Sequence, residues 1–135
     1  MVMDGQGGGI GATLIKYIRD LLGDELDVWA LGTNAIATSR MMKAGANRGA
    51  TGENPIVKTS RRVDLIVGPL GIIMADAMMG EVTPAMAAAV SASPAEKILI
   101  PLTKEPVHVV GASAEPLPHL VKRAVERIRE VMTHV

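Results

Sequence analysis

The sequence predicts a single-domain α/β protein: a three-layer sandwich with a Rossmann-like, mainly parallel sheet and an edge β-hairpin. Short apolar runs alternate with helix-length segments along the chain, and this alternation is typical of crossover units that place parallel strands side by side. The first apolar run leads directly into a glycine-rich turn, residues 5–11, which leads directly into an amphipathic helix. The length of 135 residues fits one domain, residues 1–135.

Each predicted element follows from a local pattern. Strands are expected at short apolar runs, residues 2–4, 26–31, 63–67, 97–102 and 107–110. Helices are expected at helical spacing or after a capping residue, residues 10–22, 35–44, 55–60, 72–79, 84–92 and 118–132. The polar stretch 45–55 is predicted to be a loop that ends with Asn54 as a helix N-cap. Pro101 and Pro106 suit an edge position, which favours a hairpin from the last two strands.

Composition excludes several classes of function. The 14 basic and 14 acidic residues cancel, and one Trp, one Tyr and no Phe offer little for base stacking. The absence of cysteine excludes disulfides and thiol catalysis. The most hydrophobic stretch, residues 70–92, is interrupted by Asp76, Glu81 and Pro84, and the first residues lack a signal-peptide pattern. We therefore expect a cytoplasmic protein that binds neither nucleic acid nor membrane.

Glycines at three strand ends predict the binding site. The carboxyl ends of parallel strands share one edge of the sheet, where ligands bind, and backbone N–H groups at the start of a helix favour phosphate. Arg48 is the candidate clamp for a phosphate or carboxylate, unless it is only solvated. The alternative for the glycines is that they only allow tight turns. The predicted cofactor-binding residues are Gly5, Gln6, Gly7, Gly8, Gly9, Ile10, Gly11, Gly32, Thr33, Asn34, Asn47, Arg48, Gly68, Pro69 and Gly71.

The glycine spacing fits a dinucleotide-binding pattern only in part. Gly7, Gly9 and Ala12 have that spacing, so a nucleotide or dinucleotide is the expected class of cofactor. The acidic residue that should follow about 20 residues later is absent, since Thr33 and Asn34 end the second predicted strand. No lysine followed by serine or threonine comes after the glycines. A dehydrogenase and a P-loop NTPase are therefore both disfavoured.

Two carboxylates are the candidates for a catalytic role. Asp4 closes the first predicted strand and either bonds the nearby backbone amides or acts on a ligand hydroxyl. Glu53 either serves as an acid or base or tethers its loop. No metal site is predicted, because the histidines lack metal-ligand spacing and are expected on the surface: His108, His119 and His134.

The Ala/Met-rich stretch 72–92 predicts an interface. Met74, Met78, Met79 and Met86 would coat the exposed faces of its two predicted helices, and an apolar patch of that kind marks an interface. We expect a homo-oligomer, most simply a two-fold dimer. The alternative is an ordinary buried core helix.

Four runs of the sequence carry a resemblance. They are DGQGGGIG at residues 4–11, LGTNAIATS at residues 31–39, KAGANRGATGEN at residues 43–54 and GPLGI at residues 68–72. They resemble a bacterial family of small Rossmann-like proteins known only as a domain of unknown function. The resemblance covers nearly the whole chain and implies the fold and a role for these loops, but no activity. It also implies that the first strand is clipped here, since that family has a few more residues before the aspartate.

A second, more distant resemblance concerns phosphate binding. Residues 32–34 and 68–71 are similar to the phosphate-binding strand ends of methylglyoxal synthase and its relatives, whose catalytic aspartates have no clear match in this chain. We expect a binding protein for a nucleotide or a phosphorylated small metabolite. The alternatives are a methylglyoxal synthase-like lyase or isomerase on a sugar phosphate, with Asp4 or Glu53 as base, and a regulatory or structural oligomeric subunit without a ligand.

Overall fold

The computed structural model describes residues 1–133, which form a five-stranded, all-parallel sheet between two layers of helices. The strands are β1 (Val2–Asp4), β2 (Trp29–Gly32), β3 (Arg48–Thr51), β4 (Leu65–Pro69) and β5 (Glu96–Ile100). The helices are α1 (Gly9–Leu22), α2 (Ala35–Ala44), α3 (Glu53–Ser60), α4 (Pro84–Ala92) and α5 (Leu117–Thr133). The predicted three-layer α/β sandwich is confirmed, and the strand order β3-β2-β1-β4-β5 is consistent with a Rossmann-like fold.

Two apolar cores lie on the two faces of the sheet. On one face α1 packs against α2 and α5, and on the other α3 packs against α4. Alternate residues of β4 enter the two cores: Leu65 and Val67 pack with α1 and α5, whereas Ile66 packs with α3 and α4. A strand buried on both faces needs apolar residues at successive positions, which explains the continuous apolar run of β4.

A strand occupies the stretch that the sequence predicts to be a loop. β3 pairs with β2 residue by residue, from Arg48 opposite Trp29 to Thr51 opposite Gly32. Its four residues, Arg-Gly-Ala-Thr, are mostly exposed because β3 lies at the edge of the sheet. Hydrophobic periodicity therefore contains no signal for β3. The predicted N-cap is also wrong, since α3 begins at Glu53 and follows Gly52.

The first predicted Ala/Met-rich helix, residues 72–79, does not form. A single 3-10 turn over Leu70–Ile73 leads into an irregular segment, in which Asp76, Met78 and Met79 have positive φ angles of 66°, 58° and 56°. The stretch is apolar on all sides rather than amphipathic, so its composition defines no helical face.

The second predicted Ala/Met-rich helix forms as α4, but it is an ordinary core helix. Met86 is only 3% exposed, and Met74 and Met78 pack partly against the core. Of the four methionines expected to coat exposed faces, Met79 alone is exposed, at 95%. The expected homo-oligomer stays a prediction, without an extended methionine surface to support it.

The predicted edge hairpin does not form. β5 pairs with β4, and residues 107–110 lie in an exposed, irregular segment, residues 101–116, that connects β5 to α5. Proline has no backbone N–H, so Pro101 and Pro106 could not donate the hydrogen bonds that would pair the two predicted hairpin strands near their turn. The segment 101–116 is instead joined to the segment after β4 by a hydrogen bond, which Glu105 Oε1 accepts from the Met78 N–H at 2.9 Å.

The last predicted helix is confirmed as the amphipathic α5. Its apolar side chains pack on the core that α1 shares, and Arg127 on its polar side pairs with Glu96 of β5 at 2.7 Å. Among residues 1–133, none of the helices combines the length and apolar character that crossing a bilayer requires. His108 and His119 are exposed, as predicted, and His134 lies outside the described residues.

The contact between β1 and β4 generates a prediction at Gly68. A Cβ at this position would lie 2.3 Å from the Met3 carbonyl oxygen in the neighbouring strand. Because that atom belongs to backbone in the middle of the sheet, we expect Gly68→Ala to lower the free energy of unfolding by about 1–3 kcal/mol in urea denaturation.

Gly71→Ala is the matched control for Gly68→Ala. The atoms nearest a Cβ at Gly71 are side-chain carbons at 3.4 and 3.5 Å, which is ordinary contact. The control should keep the wild-type stability. Equal stabilities of the two variants would contradict the close approach of β1 and β4.

Candidate functional site

A cleft of about 410 Å³ lies beyond the carboxyl ends of β1, β4 and β5. The order of the strands along the chain reverses between β1 and β4, and ligands of open parallel sheets bind at such a switch point. The cleft is lined by Asp4, Gly5, Gln6, Ile10, Pro69, Gly71, Met78, Met79, Leu102, Thr103, Lys104 and Glu105. We take it as the candidate functional site.

Three of the predicted site segments meet at this edge of the sheet. Residues 5–11 follow β1, residues 32–34 end β2 and begin the next turn, and residues 68–71 end β4. Within the third segment, Pro69 and Gly71 line the cleft. The shared edge follows from the parallel direction of the strands, as predicted.

Asp4 is buried beneath the glycine turn. Its side chain ends β1 and is 4% exposed; Oδ1 accepts from the Gly5 N–H and Oδ2 from the Gly11 N–H, both at 2.7 Å. Burial raises the pKa of the Asp4 carboxyl, while the bonds from Gly11 and Gly5 and the charge of Arg40 act to lower it. Of the two predicted roles of Asp4, the hydrogen bonds to nearby amides are therefore present.

The carboxylate of Glu81 accepts hydrogen bonds from a second set of donors. No pattern in the sequence predicts a functional role for this residue. Its Oε1 accepts from the Gln6 N–H at 2.8 Å, and from the Thr33 hydroxyl and the Asn34 side-chain amide at 2.7 Å each. Desolvation raises the pKa of the Glu81 carboxyl, but the three hydrogen bonds outweigh it and hold that pKa below its ordinary value of 4.5. Glu81 thus joins the glycine turn and the end of β2 to the segment after β4.

The side chains of Thr33 and Asn34 are largely engaged within the protein. Besides its bond to Glu81, the Asn34 amide nitrogen donates to the Gln6 carbonyl oxygen at 2.9 Å. The Asn34 carbonyl oxygen caps α2 by accepting from the Ala37 N–H at 2.8 Å. These two residues, which the sequence predicts to touch a ligand, here hold the strand ends together.

The glycine turn keeps two amides without an internal acceptor. Gly8 donates to the Gly5 carbonyl oxygen at 2.9 Å, whereas no acceptor within residues 1–133 receives the N–H of Gly7 or Gly9. Arg40 of α2 donates to the Gly7 carbonyl oxygen at 3.2 Å. Arg40 is not among the residues that the sequence predicts for the site, because its role depends on this contact between α2 and the glycine turn.

Asn47 and Arg48 lie at the opposite edge of the sheet, so their predicted place in the site is wrong. Arg48 begins β3 opposite Trp29, and its guanidinium lies over the Trp29 ring at 5.4 Å. Asn47 Oδ1 accepts from Arg19 at 2.6 Å and from the Val28 N–H at 2.7 Å. The length of β3, roughly 10 Å, separates them from the carboxyl edge. The prediction failed because it treated β3 as a loop.

Glu53 lies outside the cleft. It is the first residue of α3 and accepts a hydrogen bond from the hydroxyl of Thr83, the N-cap residue of α4. This contact links the two helices that cover one face of the sheet. Of the two predicted roles of Glu53, the tethering role is therefore present.

Unfavourable backbone conformations are concentrated around the cleft. Within residues 1–133, four non-glycine residues have positive φ angles: Gln6 at 48°, Asp76 at 66°, Met78 at 58° and Met79 at 56°. Three of the four, Gln6, Met78 and Met79, line the cleft. This conformation costs an L-residue roughly 1–2 kcal/mol, and such residues cluster at functional sites.

Comparisons with known proteins give a family and no activity. Residues 1–133 match the model of a family described as a domain of unknown function, DUF3842. The chain belongs to the DUF3842 family. The resemblance to a family of unknown function is thereby confirmed. No curated protein and no solved structure shows a significant match to this DUF3842 chain.

Replacing Glu81 tests its structural role. Glu81→Ala leaves three donors without their acceptor, so we expect a loss of about 1–3 kcal/mol in the free energy of unfolding at neutral pH. Because the pKa of Glu81 is lower in the folded than in the unfolded protein, its stabilisation is present above about pH 4.5 and is lost as the pH falls through the folded pKa. Urea denaturation over a pH series measures this difference.

The control for Glu81→Ala is Glu126→Ala. Glu126 is exposed on α5, and its side chain forms no hydrogen bond with the rest of the described chain. This variant should match the wild type at every pH. A loss in Glu81→Ala that is independent of pH would contradict the role of the ionised carboxylate.

Met79 generates a second prediction for the cleft. Its side chain is 95% exposed and its φ angle is 56°, so glycine at this position relieves strain without loss of packing. We expect Met79→Gly to raise the free energy of unfolding by roughly 0.5–1 kcal/mol, after the entropy that glycine adds to the unfolded chain. Met79→Ala, which keeps the strain, should be no more stable than the wild type. Thermal denaturation of the three proteins decides between these outcomes.

Proposed function

We propose that this DUF3842 protein binds a nucleotide or another phosphorylated small metabolite in the cleft between the ends of β1 and β4. One observation carries the proposal: three of the four non-glycine residues with positive φ line a cleft that lies at the switch point of the sheet. Residues with energetically unfavourable backbone conformations are concentrated at functional sites, where they line binding or catalytic surfaces. In open parallel sheets, the cleft at the switch point usually binds a small molecule.

Three groups beside the cleft support recognition of a phosphate. The N–H groups of Gly7 and Gly9 lie at the amino end of α1, where the helix carries partial positive charge, and no acceptor within residues 1–133 engages them. Arg40 adds a full positive charge next to Gly7. The amides of Gly5 and Gly11 already donate to Asp4, so the proposed phosphate site is smaller than the whole turn.

A lyase or isomerase acting at the same site is the second candidate. One observation favours it: Asp4 lines the cleft, and burial raises the pKa of its carboxyl, the direction that favours a role in proton transfer. Both oxygens of Asp4 already accept amide hydrogens, which favours binding over proton transfer. Glu53, the other predicted base, lies outside the cleft.

Thermal-shift measurements with phosphorylated compounds test the proposed function. The probes are AMP, ATP, NAD and ribose 5-phosphate, each compared with its unphosphorylated counterpart where one exists. A ligand present at a hundredfold its dissociation constant stabilises a protein by about 2.7 kcal/mol, which corresponds to a rise in Tm of roughly 10 °C for a domain of this size. No rise with any probe, together with no heat of binding in calorimetry, would overturn the proposal.

A pair of variants on α2 tests the phosphate contact. Arg40→Ala removes the charge next to Gly7, so we expect about tenfold weaker binding of the phosphorylated probe and unchanged binding of the nucleoside. Lys43→Ala removes an equal charge from the same helix; Lys43 is exposed near the far end of α2 and should have no effect. Equal affinities of the two variants for the phosphorylated probe would remove Arg40 from the site.

A further inference from the structure

We infer that the cleft receives the hydroxyl-bearing part of its ligand, two neighbouring hydroxyl groups such as those of a ribose, on the carboxylates of Asp4 and Glu105. The phosphate stays outside, at the mouth. This inference rests on the proposed function and specifies which end of the ligand enters the cleft. Three observations carry it: the charges that line the cleft, the donors that are already occupied, and the acceptors that remain.

The charges inside the cleft do not suit a phosphate. Its ionisable lining residues are Asp4, Glu105 and Lys104, so acidic groups outnumber basic ones. Asp4 is 4% exposed and lies at the end of β1, whereas Lys104 is exposed. A carboxylate that is shielded from water repels a phosphate more strongly than a solvated one does. The same carboxylate attracts a hydroxyl, which donates a hydrogen bond to it.

The donors that a phosphate would need inside the cleft are already occupied. Gly5, which lines the cleft, donates its N–H to Asp4, and Gln6 donates its N–H to Glu81. A Cβ at Gly5 would lie 2.4 Å from the Thr33 hydroxyl oxygen and 3.1 Å from Glu81 Oε1, so this part of the turn is packed tightly. A phosphate that entered here would have to displace a carboxylate from its amides.

The acceptors in the cleft keep unused capacity. A carboxylate offers about four lone-pair sites. Asp4 accepts the amide bonds from Gly5 and Gly11, and the Ile10 amide also acts on its carboxyl group, whereas Glu105 accepts one bond at Oε1, from the Met78 N–H. Oε2 of Glu105 receives no hydrogen bond from the rest of residues 1–133. The two carboxylates come from different walls of the cleft, β1 and the segment after β5, and both residues line it.

The position of Glu105 is fixed by the strained turn. Met78, which donates the N–H to Glu105, has a φ angle of 58°, and its side chain lines the cleft. The left-handed conformation of Met78 thereby holds the Glu105 carboxylate in the cleft. The remaining wall is largely apolar and offers contact to a flat, weakly polar group such as a nucleobase: Ile10, Pro69, Met78, Met79 and Leu102.

Pairs of ribonucleotides and 2′-deoxyribonucleotides test the inference. The probes are AMP, GMP, CMP and UMP, each with its 2′-deoxy counterpart, titrated by calorimetry into the full chain. For the nucleotide that binds, loss of one hydroxyl that donates to a carboxylate should weaken binding tenfold to a hundredfold. Glu105→Gln keeps the shape of the side chain and removes its charge, so the preference for the ribonucleotide should fall at least fivefold. Glu126→Gln, an exposed change outside the cleft, should leave it unchanged.

The outcomes separate this inference from the proposed function. Equal affinity for both members of every pair overturns the inference and leaves the proposed function in place. We assign the 2′-hydroxyl to Glu105, whose Oε2 accepts no hydrogen bond from the rest of residues 1–133, so a ribonucleotide preference that persists in Glu105→Gln overturns the inference. Binding of none of these nucleotides also overturns the inference, and the proposed function is overturned as well when NAD, ATP and ribose 5-phosphate give no binding either. Asp4→Asn removes the acceptor assigned to the neighbouring hydroxyl and should weaken both members of each pair, and Glu105→Gln alone decides where Asp4→Asn fails to fold.

Discussion

The carboxyl edge of the sheet depends on two carboxylates of the chain that accept the amide hydrogens of Gly5, Gln6 and Gly11. Asp4 binds the amides of Gly5 and Gly11 and so fixes β1 to the start of α1. Glu81 binds Gln6 and the end of β2 and so fixes the turn to a segment that lies about 75 residues further along the chain. A buried amide without an acceptor costs about 1–3 kcal/mol. The chain's own carboxylates therefore stabilise the conformation of the turn.

The same contacts explain the shape of the cleft. The chain after β4 passes through the left-handed residues Asp76, Met78 and Met79 before it reaches Glu81, which accepts from the glycine turn. The Met78 amide then turns towards Glu105, and this bond holds the segment after β5 across the same edge. The irregular segments after β4 and β5 thus meet at this edge and together form one wall of the cleft.

Local patterns in the sequence predict the layers and the three glycine-containing segments that meet at the carboxyl edge of the sheet, but not the contacts between those segments. Helical and strand periodicity identify β4 and α5, and the glycines at three strand ends identify the edge. β3 is polar and exposed, so periodicity misses it, and Asn47 and Arg48 are consequently placed at the wrong end of a strand. The roles of Glu81 and Arg40 depend on tertiary contacts between residues far apart in sequence, and no local pattern contains them.

The left-handed conformation of Met79 is held by the backbone of its turn, in which the Gly80 N–H donates to the Asp76 carbonyl oxygen and the Glu81 N–H to the Met78 carbonyl oxygen. A residue in the left-handed conformation persists when its surroundings compensate the cost. Gln6 and Met78 have such surroundings, since their amides donate to Glu81 and Glu105. The side chain of Met79 is 95% exposed and contributes almost no packing, so the folded chain gains little from a methionine there. An apolar, flexible side chain at the rim of a cleft gains its burial when a ligand covers it. Under the proposed function, the exposed Met79 side chain belongs to the surface that a ligand would cover.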